Sequence, residues 1–306
     1  MSKLFKGDLL IFTNKGLVRV DNLNKEEHLI LCIDNKGSYY YDEIEELVKI
    51  YKNKYTLNKI SFNNNIDSYL VNDNIVIKSI QNIPNSVETP EISEYLNYNE
   101  SRCKVISKIG ELSSFDFIEY PTNINFDDNE NKIENNDYYR FQGLYISTNE
   151  FRDEITNKEV IDFISNYLNS NNIKYQIIQN KIFINEKINK ISLYDLFKLS
   201  KESLLIFTKS LIEINNELNI KNKEDYYIIK YSYLLYGVYI SSYYNNGIIQ
   251  IRIPRKRSDS YYYYFNYDNN IYNKIRNIKK IQSKGFLYSL KLKNNNLYLT
   301  DLGFIS

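Results

Sequence analysis

Apolar side chains recur at every second position in short runs along the first part of the chain, at residues 9–12, 29–33, 55–62, 74–80, 103–107 and 115–120. That period sends alternate side chains to opposite faces of a pleated strand, so residues 1–121 read as all-β. Turn chemistry separates the runs: Asn14-Lys15-Gly16 predicts the tip of a first hairpin and Asn35-Lys36-Gly37 a later turn. Residues 84–100, with Pro84, Pro90 and scattered polar side chains, predict a loop within this half. Residues 121–137 have no periodicity, and FDDNEN at Phe126 to Asn131 makes them acidic; they read as a linker, with an acidic metal site as the alternative.

Beyond residue 137 the period lengthens to that of a helix, over 137–148, 158–168 (KEVIDFISNYL), 193–218 and 224–236. Two similar stretches follow these helices, SNNIKYQIIQNKIFI from Ser170 and GVYISSYYNNGIIQIRI from Gly237, each a strand, a turn and a strand. Helix, helix and hairpin thus occur twice, which predicts an internal duplication and a pseudo-twofold domain. Residues 285–306 return to strand character, as two strands around Asn294 to Asn296. The pattern describes an α+β chain that is β-rich at both ends.

Composition narrows this picture. The 306 residues suffice for a sizeable core and for two domains. With 39 Lys and Arg against 38 Asp and Glu, no net field draws the whole chain to nucleic acid, so any basic surface must be local. The 31 tyrosines, the absence of Trp and the density of Asn, Ile and Lys point to an AT-rich coding genome rather than to a chemical speciality. No signal-like segment opens the chain and nothing approaches ~20 consecutive apolar residues. A soluble intracellular protein is expected, cytoplasmic or nuclear, with no membrane partner. Cys32 and Cys103 are too few for a disulfide framework. His28 is the sole histidine, expected at the surface or in a turn, so neither a Cys/His zinc site nor a Ser-His-Asp or Cys-His constellation is available. No glycine-rich phosphate loop is present.

Phe141-Gln142-Gly143-Leu144-Tyr145-Ile146-Ser147-Thr148-Asn149 resembles the LAGLIDADG helix of the homing endonucleases carried within inteins. A fainter second copy stands at Thr208-Lys209-Ser210-Leu211-Ile212-Glu213-Ile214-Asn215-Asn216, after Phe207 and ahead of its own helix and hairpin. The alternative register, Leu235-Tyr236-Gly237-Val238, matches the letters but spoils the repeat. The flanks resemble the intein, or Hint, fold. Gly7-Asp8 with Leu10-Ile11 and Lys15-Gly16 looks like its opening block, and SYLVNDNIVIK from Ser68 lies where the family has a Thr-x-x-His strand. LSSFDFIEYP from Leu112 is similar to the strand that closes the first half. Residues 287–306 look like the closing block of the fungal vacuolar-ATPase-type inteins and of the mating-type-switching endonuclease, without the zinc-binding tail found among those relatives. The resemblance implies a Hint domain built from residues 1–121 and 273–306, a linker at 122–136 and an inserted, duplicated LAGLIDADG-like domain over 137–272. It also implies a monomer, because the duplication holds internally what single-motif relatives obtain by dimerising.

The residues that carry the family's chemistry are replaced. Splicing needs a Cys or Ser at its first position to take up an acyl group. That position here is Lys3 or Leu4, behind the chain's own Met1, with Ser2 as the substitute nucleophile to hand. The assisting histidines would fall near Asp73 and Asn296, and the chain ends at Ser306, about where a terminal His-Asn pair would begin. In LAGLIDADG enzymes the last acid of each motif holds divalent metal between the scissile phosphates. Those positions are Thr148 and Asn215. Glu150 and Glu213 are acids displaced by two residues, which is roughly 200° around a helix. No catalytic residue, resident metal or cofactor is therefore expected; magnesium enters only if Glu150 and Glu213 sustain a nuclease.

Gly143 and Ser210 are small residues where the two motif helices would cross, or else ordinary small residues of packed helices. The hairpins would form the saddle that lies on DNA in the family. The second carries Arg252, Arg255, Lys256 and Arg257 ahead of Tyr261 to Tyr264. Cations with aromatics can hold phosphates and stack on bases, although the same residues read as a solvated strand end followed by a tyrosine-rich strand. Lys279, Lys280 and Lys284 read as solvated strand surface. The expectation is an intein and homing-endonuclease homologue without splicing or cleavage, retained as a double-stranded-DNA-binding protein. A structural role or a protein partner, favoured by the balanced charge, and a residual metal-dependent endonuclease are the alternatives.

Overall fold

The computed structural model describes residues 3–306 apart from 35–37, 63–64, 85, 89–90, 123–134, 197–198, 216, 254–263, 269 and 295–296. The turn expected at 35–37, the acidic stretch at 126–131 and Asn296 thus lie outside the described residues. The fold mixes helix and strand in two compact units: an outer unit, Met1–Phe126 with Arg255–Ser306, and an inner unit, Asp127–Pro254.

The outer unit begins with β1 (Leu10–Thr13), β2 (Gly16–Arg19), β3 (Leu29–Ile33) and the long β4 (Tyr39–Phe62). β5 (Ser68–Val71), β6 (Val76–Ile80), α1 (Ile92–Cys103), β7 (Lys104–Lys108) and β8 (Phe117–Pro121) follow. The inner unit holds α2 (Asn136–Ser147), α3 (Lys158–Ser170), β9 (Tyr175–Ile178), β10 (Lys181–Ile184) and α4 (Leu193–Leu196). It continues with α5 (Lys201–Leu211), β11 (Glu217–Ile220), α6 (Lys223–Leu235), β12 (Ser241–Asn245) and β13 (Ile248–Arg252). The chain then re-enters the outer unit with β14 (Tyr264–Tyr267), β15 (Asn270–Leu292), β16 (Leu297–Thr300) and β17 (Gly303–Ile305).

A 12-stranded sheet builds the outer unit, in the order β14-β15-β8-β6-β17-β16-β1-β3-β4-β5, with β2 on β1 and β7 on β6. β4 and β15 also pair with each other along most of their length, from Ile275 opposite Phe62 to Leu292 opposite Ile44. Apolar alternation marks only residues 55–62 of β4; the charged stretch before it is strand because its backbone groups pair with β15, not because its side chains are patterned. β14 and the first turns of β15 lie in this sheet too, with Ile271 opposite Tyr120. Residues 264–272, which sequence patterning grouped with the inner domain, therefore pair with the outer one.

The β1–β2 and β16–β17 hairpins are built alike. Thr13 pairs with Gly16 and Thr300 with Gly303, and each threonine hydroxyl donates to its glycine carbonyl at 2.9 Å. The next residue then clamps a neighbouring strand with two bonds. Asn14 N–H donates to Leu29 O at 3.0 Å while its side-chain oxygen accepts from Leu29 N–H at 2.9 Å. Asp301 does the same to Leu10, at 3.0 and 3.1 Å. The sequence carries the repeat, LIFTNKGLV from Leu10 against LYLTDLGFI from Leu297, at opposite ends of the chain. Glycine is required at both closings, since Gly16 has φ 100° and Gly303 φ 127°.

Two expectations need correction. Residues 84–100 are not wholly loop, because α1 buries Ile92, Leu96 and Cys103 against Phe117, Phe265 and Tyr272. Two prolines and a polar remainder hid apolar positions that repeat at helical spacing. Residues 193–218 are not one helix. Ser200 caps a new start by accepting from Ser203 N–H at 3.1 Å, and from Glu217 the exposed, buried, exposed, buried alternation makes strand β11. β11 pairs with β13, and β13 with β12, so the second hairpin is part of a three-stranded sheet whereas β9 and β10 pair alone. Among the described residues no helix is long and apolar enough to cross a membrane.

A Cβ on Gly303 would lie 2.8 Å from the Glu119 carbonyl oxygen, on top of the backbone strain at positive φ. Gly303→Ala is expected to lower unfolding stability by about 2 kcal/mol or more. Gly247→Ala, at φ 80° with open space around it, should lose only about 1 kcal/mol, as read from urea denaturation of the two variants.

Candidate functional site

α2 and α5 approach each other at Gly143 and Ser210. A Cβ on Gly143 would collide with Ser210 Oγ and lie 2.8 Å from the Phe207 carbonyl oxygen. Ser210 turns its hydroxyl onto that same carbonyl at 2.7 Å, so its polar group is satisfied within its own helix and the face it shows α2 stays flat. The structure therefore brings these two small residues together. Arg140, one turn before Gly143, forms a two-bond ion pair with Glu213, and its guanidinium lies 4.1 Å from the centre of the Phe163 ring.

Three consecutive left-handed residues follow α2: Asn149 at φ 51°, Glu150 at 65° and Phe151 at 61°. Such a run strains non-glycine residues, and its surroundings over-determine it. Phe151 is fully buried against the Phe141 and Tyr145 rings, and its N–H donates to Thr148 Oγ1 at 3.2 Å. Glu150 N–H reaches back to Tyr145 O at 2.7 Å, and the Asn149 amide donates to Asp153 and to Asn219 O. Thr148 is itself buried and spends its hydroxyl proton on Leu144 O at 2.6 Å. A left-handed turn occupies the place after α2 that strand β11 takes after α5, which is why the two halves of the inner unit differ.

The turn aims Glu150 at Lys190. The Lys190 ammonium lies 3.1 Å from Glu150 and 2.9 Å from both oxygens of the buried Asp225. Gln142 sets this lysine in place: its amide donates to Asn189 O and its oxygen accepts from Ile191 N–H, each at 2.9 Å. Burial by itself disfavours the Lys190 ammonium, but the hydrogen bonds and charges of Asp225 and Glu150 prevail and raise its pKa above the ordinary value. Glu150 also meets Arg152 at 3.2 Å. Around this network opens a cavity of about 770 Å³, walled by Tyr145, Phe183 and Ile188 and edged by Arg152, Lys187 and Glu224.

Of the positions expected from the resemblance to carry metal-binding acids, Thr148 is buried and Asn215 exposed, while Glu150 faces Lys190 and Arg152 and Glu213 faces Arg140. Among the described residues no three His, Cys, Asp or Glu side chains converge.

The sheet β11-β13-β12 turns Leu218, Ile220, Ile249 and Ile251 inward. Its other face is polar. Asn219, Gln250 and Tyr243 form one rung across the three strands, with the Gln250 amide donating to Asn219 at 3.0 Å and accepting from Asn245 at 3.2 Å. The next rung holds Glu217, Arg252 and Ser241, where Arg252 sits 3.7 Å from Glu217 with both side chains largely in solvent. Arg255, Lys256, Arg257 and Tyr261 to Tyr263 lie outside the described residues. Asn219, Gln250 and Tyr243 were missed in sequence because their shared rung needs β11, which patterning had assigned to a helix.

In the outer unit, residues 3–5 and 305–306 meet at the turn between β5 and β6. Lys3 Nζ donates to Ser306 Oγ at 3.1 Å, Asn72 N–H to Leu4 O at 3.0 Å, and Ser306 exchanges backbone bonds with Val76 at 3.0 and 3.2 Å. Asp73 accepts from Asn58 at 2.7 Å and pairs with Lys280 at 3.6 Å. Lys3, Leu4 and Asp73, the positions where the resemblance places splicing residues, therefore lie close together with Ser306. His28 is elsewhere, in a turn where its Nδ1 accepts from Asn24 N–H at 2.9 Å; it is buried rather than at the surface.

No protein-family model matches the chain, and no curated protein matches it. Among solved structures, the crystal structure of the Ssp DnaB mini-intein variant M86 aligns over 40% of this chain and 63% of its own, less than two thirds of its length, with 13% identity and a TM-score of 0.27. An alignment of that quality supports no inference about the chain.

Gly143→Ala is expected to lower stability by about 1–3 kcal/mol through overpacking, with partial recovery in Gly143→Ala/Ser210→Gly, since that removes Oγ and leaves only the Phe207 carbonyl close. A double-mutant cycle in urea measures the coupling. Lys190→Met leaves Asp225 buried without its cation and should cost about 3 kcal/mol at neutral pH. Because the folded pKa of Lys190 is raised, its contribution is complete below the ordinary value of 10.5 and is lost as the pH climbs through the higher folded value. Urea melts from neutral to strongly alkaline pH should converge for wild type and Lys190→Met.

Proposed function

We propose that the chain is a duplex-DNA-binding protein that neither splices nor cleaves, and that it reads DNA with the outward face of β11-β13-β12. The observation that carries this reading is the Asn219-Gln250-Tyr243 rung beside Arg252, a row of amide, phenol and guanidinium groups on a sheet whose underside is apolar. A β-ribbon fits the major groove, where Asn and Gln pair with adenine edges and Arg with guanine. Arg255, Lys256 and Arg257, which follow β13 in sequence, would add phosphate contacts. The likeness of the two motifs to LAGLIDADG helices and of the flanks to a Hint domain supports the same reading, as does the contact of Gly143 with Ser210. The proposal leaves out catalysis because a threonine and an asparagine stand at the acid positions and each displaced acid is already neutralised by a cation.

Protein binding is the second reading. It is favoured by Ile177, Ile178 and Phe183, which are 43%, 53% and 45% exposed on the lone β9–β10 hairpin.

Binding to a labelled mixed-sequence duplex, titrated over salt with magnesium or chelator, tests the first reading. Affinity should fall steeply with salt and no nicked product should form in magnesium. Gln250→Ala and Asn219→Ala should each remove about 1–3 kcal/mol of discrimination between preferred and scrambled duplexes. Absence of duplex binding at low salt sinks the DNA reading, and nicking that vanishes in Glu150→Ala would restore the endonuclease.

A further inference from the structure

The β4–β15 ribbon is charged unevenly along its length. At one end Lys291 pairs with Glu45 at 2.9 Å and Lys293 with Glu43 at 2.7 Å, so the cross-strand charges cancel. The other half has no such balance. Residues 48–62 carry four lysines, residues 274–288 carry five lysines and arginines, and neither stretch contains an acid. Lys59 stands directly opposite Lys279, a like-charge pair that weakens a sheet. Among the described residues the one ion pair on this half joins Lys280 to Asp73, at 3.6 Å. Lys49, Lys52, Lys54 and Lys284 are exposed. A surface that concentrates repulsion in this way does nothing for the stability of the fold, and it complements a polyanion.

Aromatic rings stand among these cations. Tyr51 and Phe286 face each other across the ribbon, edge to face at 5.2 Å, and remain 56% and 49% exposed. Lys49 Nζ lies 4.4 Å from the centre of the Phe286 ring. Two solvent-facing rings bordered by ammonium groups match a strand whose bases are free to stack and whose phosphates lie alongside. A duplex covers its base faces and offers such rings no partner.

We propose that this half of the β4–β15 ribbon binds single-stranded nucleic acid, with Tyr51 and Phe286 stacking on bases and Lys49, Lys54 and Lys284 holding the backbone. This site belongs to the outer unit and does not depend on the sheet assigned above to duplex DNA.

The test is fluorescence anisotropy of the full chain with a labelled oligothymidine of about 20 nucleotides, long enough for such a surface, and with a duplex of equal length, between ~50 and 200 mM salt. Oligothymidine should bind and weaken with salt. Tyr51→Ala/Phe286→Ala should weaken it by roughly tenfold or more, Lys54→Gln/Lys284→Gln should flatten the salt dependence, and Gln250→Ala should leave it unchanged. All four ribbon positions are exposed, so thermal melts should match wild type and tie any loss to the surface. Oligothymidine left unbound at the lowest salt overturns the proposal. So does equal binding by the Tyr51→Ala/Phe286→Ala variant, which would reduce the ribbon to a nonspecific cationic surface.

Discussion

The pairing of β4 with β15 is the constraint on which the outer unit depends. It joins residues 39–62 to residues 270–292 across more than half of the chain, and the pairing runs from Leu292 opposite Ile44 to Ile275 opposite Phe62 with register shifts at Ile275/Asn277, Ser283/Gly285 and Lys291/Leu292. Closing so long a loop is entropically tolerable because its cost rises only with the logarithm of length. Much of the segment in between, Asp127–Pro254, forms a compact unit of its own. The strands on either side of it are neighbours, since Pro121 at the end of β8 lies opposite Asn270 at the start of β15. An insertion between adjacent strands leaves the sheet's hydrogen bonding undisturbed.

The two like hairpins lock the remaining strands to this ribbon. Asn14 and Asp301 each hold a neighbouring strand by one backbone and one side-chain bond, and each works only because a threonine and a positive-φ glycine close the turn beside it. Aspartate and asparagine suit the task because a short side-chain oxygen can mimic a backbone carbonyl. Phe5, Ile11, Ile30, Val71, Ile77 and Phe304 fill the interior that these turns define. The closing strands β16 and β17 are thereby as deeply embedded as the opening ones.

In the inner unit the close contact of Gly143 with Ser210, the left-handed turn at Asn149 to Phe151 and the Glu150-Lys190-Asp225 network are consecutive consequences of one helix. α2 places Gly143 on α5, its buried Gln142 positions Lys190, and its strained C-terminal turn delivers Glu150 to that lysine. An acid held in this way is electrostatically satisfied and contributes to structure. The same economy leaves the sheet face and the basic half of the ribbon as the surfaces whose chemistry the fold itself does not use.

Much of this could be read from sequence wherever the information is local. Helices α2, α3 and α6, the β9–β10 and β12–β13 hairpins and most of the short outer strands follow from periodicity and turn residues, because side-chain direction repeats within a single element. Gly143 and Ser210 stood out through the resemblance of their motifs. Helix α1 and strand β11 were misread, the first behind prolines and polar residues, the second as the tail of a helix. Lys279, Lys280 and Lys284 looked like ordinary solvated surface, since nothing in their own strand says that Lys52, Lys54 and Lys59 lie alongside. Local propensity is set by neighbours in sequence, whereas the charge of a surface, the partner of an acid and the length of a strand are set by backbone pairing between residues far apart in the chain, and for those only the tertiary structure could decide.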